Sequence, residues 1–196
     1  MKIGILGGTF DPVHIGHLVL AESAREQLAL DRLVFIPAGQ PWRKGRSGVT
    51  SGSRRLEMLR LALKDTGFVV SDAEIAREGS SYTVETLEGV QAVEGEAVEM
   101  FLVLGHDAFL DLPNWKDSER IKRLARLAVA RRPGIGVREE RDLPDVIWLS
   151  MPLIDISSSE VRQRVVDGRT IRFLVPEAVE AFIREQRLYG EVREDT

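Results

Sequence analysis

Apolar and polar residues follow two spacings along the chain, and together these predict alternating strands and helices. Short, nearly continuous apolar runs predict strands, at residues 2–6, 32–39, 68–75, 98–105, the end of 123–134, and 146–153. Apolar residues at helical spacing predict helices, at residues 15–30, 53–64, 81–93, about 157–167 and about 176–186. Ser53 is expected to cap the second of these helices.

The first forty residues contain a strand, a helix and a second strand in succession, which is typical of a parallel sheet with right-handed crossovers. The run VEMFLVLG at 98–105 is nearly all apolar, as the central strands of parallel sheets are. We therefore expect an α/β fold, with a mainly parallel sheet flanked by helices and two helices closing the chain. Residues 1–190 are expected to form one domain and residues 191–196 a disordered tail.

The segment GGTFDPVHIGHL at 7–18 joins the first strand to the first helix and carries two of the three histidines. Gly7 and Gly8 allow a tight turn and close approach of a ligand to the backbone. A helix N-terminus presents free N–H groups and favours a phosphate. His14 and His17 are three residues apart, so both can donate hydrogen bonds to charge that develops on a phosphate.

Other interpretations of this segment are weaker. A single histidine is more often structural, but a pair after a strand and two glycines favours a functional site. Zinc lacks an obvious third ligand and would not explain the glycines. The segment is neither a Walker A loop, which needs Gly-Lys-Ser/Thr, nor a GxGxxG dinucleotide fingerprint.

A second candidate anion site is IDISSSEVRQRV at 154–165. Ser157, Ser158 and Ser159 open a predicted helix, and Arg162 follows one turn later, so hydroxyls, backbone amides and a guanidinium come together. An ordinary serine cap with a solvated arginine is the alternative. A third feature is the long, basic segment QPWRKGRSGVTSGS at 40–53, since loops of this length inside a domain are usually functional or mobile.

Composition excludes several classes of function. Of the 196 residues 43% are hydrophobic and 30% charged, and the formal net charge is −4, so neither nucleic acid nor an anionic membrane is an expected partner. The chain has no cysteine, which excludes disulfides, cysteine zinc sites and thiol nucleophiles. The apolar run at the start is too short for a signal peptide, and we expect a cytoplasmic protein.

GTFDPVHIGH together with ISSSEVR resembles the nucleotidyltransferase superfamily with the (T/H)xGH signature, here His14-Ile15-Gly16-His17. The middle of the chain resembles the bacterial nicotinate mononucleotide adenylyltransferases in particular, and the similarity extends from residue 1 to about 190. The stretches that carry it are PAGQPWRK, SYTVETL, LGHDAFLDLPNWK, RRPG and PLIDISSSEVR.

The resemblance implies a Rossmann-like nucleotidyltransferase fold and the formation of nicotinic acid adenine dinucleotide and pyrophosphate from ATP and nicotinate mononucleotide, with Mg²⁺ on the triphosphate. It implies catalytic roles for His14, His17, Lys44 and Arg162. It places in the ATP site the residues Gly7, Gly8, Thr9, Phe10, Gly16, Asp107, Ile156, Ser157, Ser158 and Ser159. For the mononucleotide it implies Thr83 and Trp115, to which we add Tyr82, whose neighbouring helix N–H groups suit a carboxylate, and Arg132 for a phosphate.

Two positions depart from the family pattern. Trp42-Arg43-Lys44 stands where the family often has Pro-His-Lys, so the basic role of that histidine falls to Arg43 at best. His106 precedes Asp107 at a position where the family usually has a small or hydroxyl residue. His106 is interpreted equally well as a third histidine of the site or as a structural histidine at a helix start.

Alternative functions stay open at this point. The same chemistry could act on nicotinamide mononucleotide or phosphopantetheine, and a nucleotide-binding module without catalysis would keep the ATP site alone. A Rossmann oxidoreductase is disfavoured because GxGxxG is missing, and a zinc hydrolase is the least favoured. The oligomeric state stays open as well.

Overall fold

The structure, a computed structural model, describes residues 1–40, 48–130 and 145–190. Its strands are β1 (Lys2–Gly8), β2 (Arg32–Pro37), β3 (Val69–Val70), β4 (Glu99–Leu104), β5 (Arg126–Ala130) and β6 (Val146–Leu149). Its helices are α1 (Ile15–Leu28), α2 (Gly52–Ala62), α3 (Ala73–Ala76), α4 (Thr83–Glu94), α5 (His106–Asp111), a 3₁₀ turn (Leu112–Asn114), α6 (Ser118–Leu124), α7 (Ser158–Val166) and α8 (Glu177–Glu185).

The six strands form one sheet in the order β3-β2-β1-β4-β5-β6, and every pair in it is parallel. The expected α/β fold with a parallel sheet flanked by helices is confirmed. Successive strand residues point to opposite faces, so each inner strand supplies both sides of the core. In β4, Phe101 and Val103 pack on one side, whereas Met100, Leu102 and Leu104 pack on the other.

The helices divide between the two faces of the sheet. The core cluster on one face includes buried residues of α1, α2, α7 and α8, and the cluster on the other includes residues of α4 and α6. No helix of the described residues is long and apolar enough to cross a membrane.

Three details differ from the sequence prediction. The strand expected at 68–75 is only two residues long, because the N–H groups of Ile75 and Ala76 bond to the carbonyl of Asp72 and start α3. The cap of α2 is Ser51, not Ser53, since the Ser51 hydroxyl accepts from the Arg54 N–H. Helices α5 and α6 were not predicted. The two C-terminal helices lie within one residue of their predicted bounds.

Candidate active site

The crevice between β1 and β4 lies at the point where the strand order reverses. From β1 the chain proceeds outward to β2 and β3, and it then returns to β4 on the other side of β1. In open parallel sheets ligands bind beyond the carboxyl ends of the strands at this point. Residues 9–14, which follow β1 and are here called the phosphate loop, and Gly105, which follows β4, therefore flank the candidate site.

The two glycines that end β1, just before the phosphate loop, differ in their surroundings. A Cβ on Gly7 would meet no atom within 4 Å, whereas one on Gly8 would lie 3.0 Å from the ring of Phe10. Phe10 has a φ of 49°, and its buried ring packs at 5.7 Å from the ring of Phe35 and 5.0 Å from that of His17. The Phe10 side chain thus supports the site from the core, and its backbone lines the loop.

His14 and His17 lie together at the start of α1. Their ring centroids are 3.7 Å apart with an interplanar angle of 31°. The backbone N–H of His14 donates a hydrogen bond to Nδ1 of His17 over 3.2 Å. Because Nδ1 of His17 accepts, the proton of its neutral ring is on Nε2. His17 thereby caps the helix with one nitrogen and has a donor on the other.

Burial sets the charge of His14. Its side chain is 7% exposed, and this burial lowers the pKa of the imidazole to about 4, since a charged ring loses its hydration. His14 is therefore neutral at physiological pH. A Cβ on Gly16 would lie 3.1 Å from two atoms of this ring, so the glycine between the histidines makes room for His14.

The serines at the start of α7 have different hydrogen-bond partners. Ser157 is the N-cap and accepts from the N–H of Glu160. The Ser158 hydroxyl donates to the carbonyl of Pro12 over 2.9 Å, which joins α7 to the phosphate loop. Ile156, just before the cap, packs against the core.

Arg162 ties the same two segments together. Its Nη1 donates to the carbonyl of Asp11 over 2.7 Å, and its Nη2 to the hydroxyl of Ser159 over 3.2 Å. A guanidinium has five N–H donors, so the others can serve an anion. The structure thus places Ser158, Ser159 and Arg162 beside the phosphate loop, although 141 residues of sequence separate Ser158 from His17.

Two of the residues expected to hold the mononucleotide, Tyr82 and Trp115, lie on the other face of the sheet. Tyr82 is the N-cap of α4 and Thr83 its first residue, and both Tyr82 and Trp115 pack against the core cluster on this face. Nε1 of Trp115 donates to Asp111 over 3.0 Å, which fixes the plane of the indole. Nζ of Lys116 lies 4.2 Å from the centroid of the Tyr82 ring and bonds to Glu85 over 2.7 Å.

His106 and Asp107 begin α5 directly after Gly105. Asp107 is exposed and His106 is buried. The His106 ring lies 6.3 Å from the ring of Trp148 at an interplanar angle of 32°, and its buried Nδ1 has no hydrogen-bond partner among the described residues.

A cytidylyltransferase-like family model matches residues 5–164. Relatives named probable nicotinate-nucleotide adenylyltransferase include a protein of Thermomicrobium roseum, which is 43% identical over 97% of this chain and 92% of its own length. A protein of a Geobacter species is 42% identical over 98% of this chain and 100% of its own length. A protein of Dehalococcoides mccartyi is 42% identical over 96% of this chain and 97% of its own length. The chain belongs to the nicotinate-nucleotide adenylyltransferase family.

Solved structures share the fold of this chain. Nicotinic acid mononucleotide adenylyltransferase of Plasmodium falciparum, complexed with NaAD, superposes with a TM-score of 0.82 at 18% identity and covers 96% of this chain and 97% of its own. The same protein complexed with APC gives a TM-score of 0.79, also at 18% identity, with 96% of each chain covered.

Two residues predicted for the adenylyltransferase site, Lys44 and Arg132, lie outside the described residues, as does the departure at Trp42 and Arg43. The remaining predicted site residues fall into two groups. Those expected for ATP lie at the end of β1, on the phosphate loop and α1, on α7 and the residues just before it, and at the start of α5. Those expected for the mononucleotide lie at the start of α4 and after the 3₁₀ turn.

Sequence reasoning missed three residues that hold the candidate site together, namely Asp11, Tyr189 and Arg55. Asp11 is 2% exposed and accepts from the Thr50 N–H and the Tyr189 hydroxyl. Arg55 is 1% exposed and bonds to four backbone carbonyls. The one available signal for Arg55 was its place at helical spacing with Leu59 and Ala62 on the buried face of α2.

Proposed function

We propose that this protein transfers the adenylyl group of ATP to nicotinate mononucleotide in NAD biosynthesis. A phosphate oxygen of the mononucleotide attacks the α-phosphorus, and the bond between the α-phosphorus and the α–β bridging oxygen breaks. The products are nicotinic acid adenine dinucleotide and pyrophosphate, which takes the electron pair of the broken bond. Since the attacking phosphate is already anionic, positioning and charge stabilisation supply the catalysis.

The observation that carries the proposal is the histidine pair at the N-terminus of α1. His17 has its proton on Nε2, away from the helix cap that Nδ1 completes. A neutral N–H donor can bind an α- or β-phosphate oxygen and strengthen that bond as negative charge develops there. His14, which is neutral and lies beside His17, is the second imidazole proposed to bind the phosphates. The backbone of Gly7, Gly8, Thr9 and Gly16 is proposed to line the same site.

The second element of the proposed ATP site is α7. Ser158 and Arg162 bond to carbonyls of the phosphate loop, so the N-terminal dipole of α7 and the remaining N–H groups of Arg162 are held beside the first site. Two helix N-termini and a guanidinium can together bind a triphosphate. Lys44 and Asp107 complete the proposed contacts, with Lys44 on the phosphates and Asp107 on the nucleoside.

Magnesium is proposed to come with ATP. The described residues contain no cluster of three or more histidines and carboxylates that could hold a metal ion. Mg²⁺ commonly binds through substrate phosphates with few protein ligands, and when bound to the triphosphate it would neutralise charge on the leaving pyrophosphate. The residues of this chain then bind and orient the magnesium nucleotide.

For the acceptor, we propose that the nicotinate ring stacks on Trp115 and that its carboxylate accepts from N–H groups at the start of α4, around Tyr82 and Thr83. The support is the shared location of Tyr82 and Trp115 on one core cluster and the bond that fixes the indole. Backbone donors suit an anionic carboxylate better than a neutral amide. Arg132 is proposed to bind the acceptor phosphate.

The experiment is pyrophosphate release by the purified protein with ATP and Mg²⁺, with nicotinate mononucleotide present or omitted. Release that requires both substrates, in equal amount with the dinucleotide, is the expected result. ATP binding without release in any combination would contradict the proposal and indicate a binding module. A single domain over residues 1–190 and a cytoplasmic location remain predictions.

A further inference from the structure

Arg55 is the largest side chain among the fully buried residues, and it does not contact the core through its charged end. Its Nε donates to the carbonyl of Thr50 over 2.8 Å, and its Nη1 to the carbonyl of Thr9 over 2.7 Å. Its Nη2 donates to the carbonyls of Ala38 over 2.6 Å and Gly39 over 3.1 Å. One guanidinium thus joins three separate segments of backbone.

These segments share a location at the carboxyl edge of the sheet. Thr9 belongs to the phosphate loop, Ala38 and Gly39 follow β2, and Thr50 precedes α2. In the sequence, residues 38–39 and Thr50 lie on either side of Lys44. Arg55 therefore fixes residues 38–39 and Thr50 relative to the phosphate loop.

Other contacts make the same connections and show that their geometry is closely defined. The Ala38 N–H donates to the carbonyl of Gly8 over 2.9 Å. The Thr50 N–H donates to Asp11 of the phosphate loop over 3.2 Å, so both backbone groups of Thr50 are held. A Cβ on Gly39 would collide with the carbonyl oxygen of Glu74, so the backbone of Gly39 packs directly against the backbone of Glu74.

A role in stability alone does not explain this choice of residue. Burying a guanidinium is costly, and apolar residues of similar volume often serve a core at least as well. On the same face of α2, Met58 and Leu59 are fully buried and fill the core without charge. The planar, forked donor set of arginine is suited instead to holding several acceptors at fixed separations.

We propose that Arg55 is a positioning residue for adenylyl transfer, which sets the position of the phosphate loop at Thr9 relative to the segments at 38–39 and Thr50. It is too buried to touch a substrate, so it acts through the backbone that binds ATP. The inference rests on the proposed function, because the phosphate loop must hold the reacting triphosphate.

The test compares Arg55→Met and Arg55→Lys with Leu59→Ala, a matched control that perturbs the core one turn along the same helix. For Arg55→Met we expect kcat to fall about 10- to 100-fold, since a displacement of about 1 Å costs that much. The dissociation constant for ATP should rise about tenfold, as expected when one hydrogen bond to a charged group weakens. The KM for nicotinate mononucleotide should change less than about threefold.

Arg55→Lys keeps the charge and one donor group, so its kcat should lie between those of Arg55→Met and the wild type. Leu59→Ala should lower the melting temperature and leave kcat within about twofold when measured well below that temperature. If Arg55→Met does not fold, the kcat and the ATP affinity of Arg55→Lys decide whether Arg55 is a positioning residue.

The inference is wrong if the folded Arg55 variants keep wild-type kcat and ATP affinity, or if Leu59→Ala loses both to the same degree. ATP affinity, measured by calorimetry, decides this point even for a protein that releases no pyrophosphate. An inactive wild type that binds ATP normally would contradict the proposed function only, so the two failures are distinguishable.

Discussion

The backbone N–H of His14 donates to Nδ1 of His17 over 3.2 Å, and the centroids of the two tilted rings lie 3.7 Å apart. The two nitrogens of His17 therefore have different roles. Nδ1 completes the N-terminal cap of α1, and the proton on Nε2 is the donor that we propose for a phosphate. In this account the HxGH segment builds both the helix start and the proposed anion site.

The first prediction separates the two nitrogens of His17. In His17→Asn the amide oxygen can take the place of Nδ1, whereas in His17→Gln the amide N–H can take the place of Nε2. Loss of one well-placed donor costs about 10²–10³ in rate, so His17→Asn should lose kcat by about that factor while its melting temperature stays close to wild type. His17→Gln should retain more kcat than His17→Asn in the pyrophosphate assay. Equal kcat in the two variants would contradict the assignment of the proton.

The second prediction concerns His14 and pH. Burial lowers the pKa of His14 from 6.5 to about 4, so between these values the unfolded chain binds more protons than the folded protein. The free energy of unfolding must then rise with pH across this window and fall as the pH drops from 6.5 towards 4. The maximum slope from one such group is about 1.4 kcal/mol per pH unit.

Urea unfolding of the wild type and His14→Gln at several pH values between 4 and 7.5 measures this contribution. Carboxylates titrate in both proteins, so the difference between the two curves isolates His14. The wild type should lose stability more steeply than the variant below pH 6.5. Parallel curves would show that His14 is not held neutral by burial.

The third prediction concerns the hydrogen bond from the Tyr189 hydroxyl to Asp11, which is 2.7 Å long. Asp11 is 2% exposed, and a buried carboxylate that loses a donor is costly, so Tyr189→Phe should lower the free energy of unfolding by about 1–3 kcal/mol. Tyr82→Phe makes the same chemical change at the other tyrosine and keeps the ring beside Lys116. It should change stability by less than about 0.5 kcal/mol. Similar losses in both variants would argue against a special role of the Asp11 contact.

The fourth prediction concerns the acceptor pocket. Stacking of a flat heterocycle on an aromatic side chain contributes about 1–3 kcal/mol, so Trp115→Ala should raise the KM for nicotinate mononucleotide roughly 10- to 100-fold. Trp115→Phe keeps a ring but loses the bond to Asp111, and its KM should be intermediate. The KM for ATP, determined in the same assays, serves as the internal control and should not change. A matching increase for ATP would place Trp115 outside an acceptor-specific pocket.

Local patterns in the sequence predicted the elements of the sheet well, because buried parallel strands such as β4 are nearly continuous apolar runs. They failed at β3, where Val69 and Val70 pair with β2 but the following polar residues turn into α3. They also missed α5 and α6, which follow Gly105 in a stretch without a long apolar repeat. The parallel direction of the strands followed from the strand–helix–strand succession, whereas the order of the strands in the sheet was not predicted.

The site was predictable where chemistry is concentrated in one segment, as in His14-Ile15-Gly16-His17. It was not predictable where a residue acts on distant backbone. Arg55 belongs to the charged stretch SRRLEM, in which Arg54 is exposed and Arg55 is buried, and only folding brings the Thr9 carbonyl to it. Tyr189 and Asp11 are 178 residues apart in sequence, so their bond could not be read from either neighbourhood.

The central claim is adenylyl transfer to nicotinate mononucleotide, and one competition experiment tests it most directly. The wild type is given limiting ATP with Mg²⁺ and equal concentrations of nicotinate mononucleotide, nicotinamide mononucleotide and phosphopantetheine, and the adenylylated products are quantified by mass. We predict that nicotinic acid adenine dinucleotide is the dominant product, because the proposed backbone donors at α4 and stacking on Trp115 select a ring that carries a carboxylate. Dominance of either other product would contradict the acceptor assignment, and the absence of all three would contradict adenylyl transfer at this site.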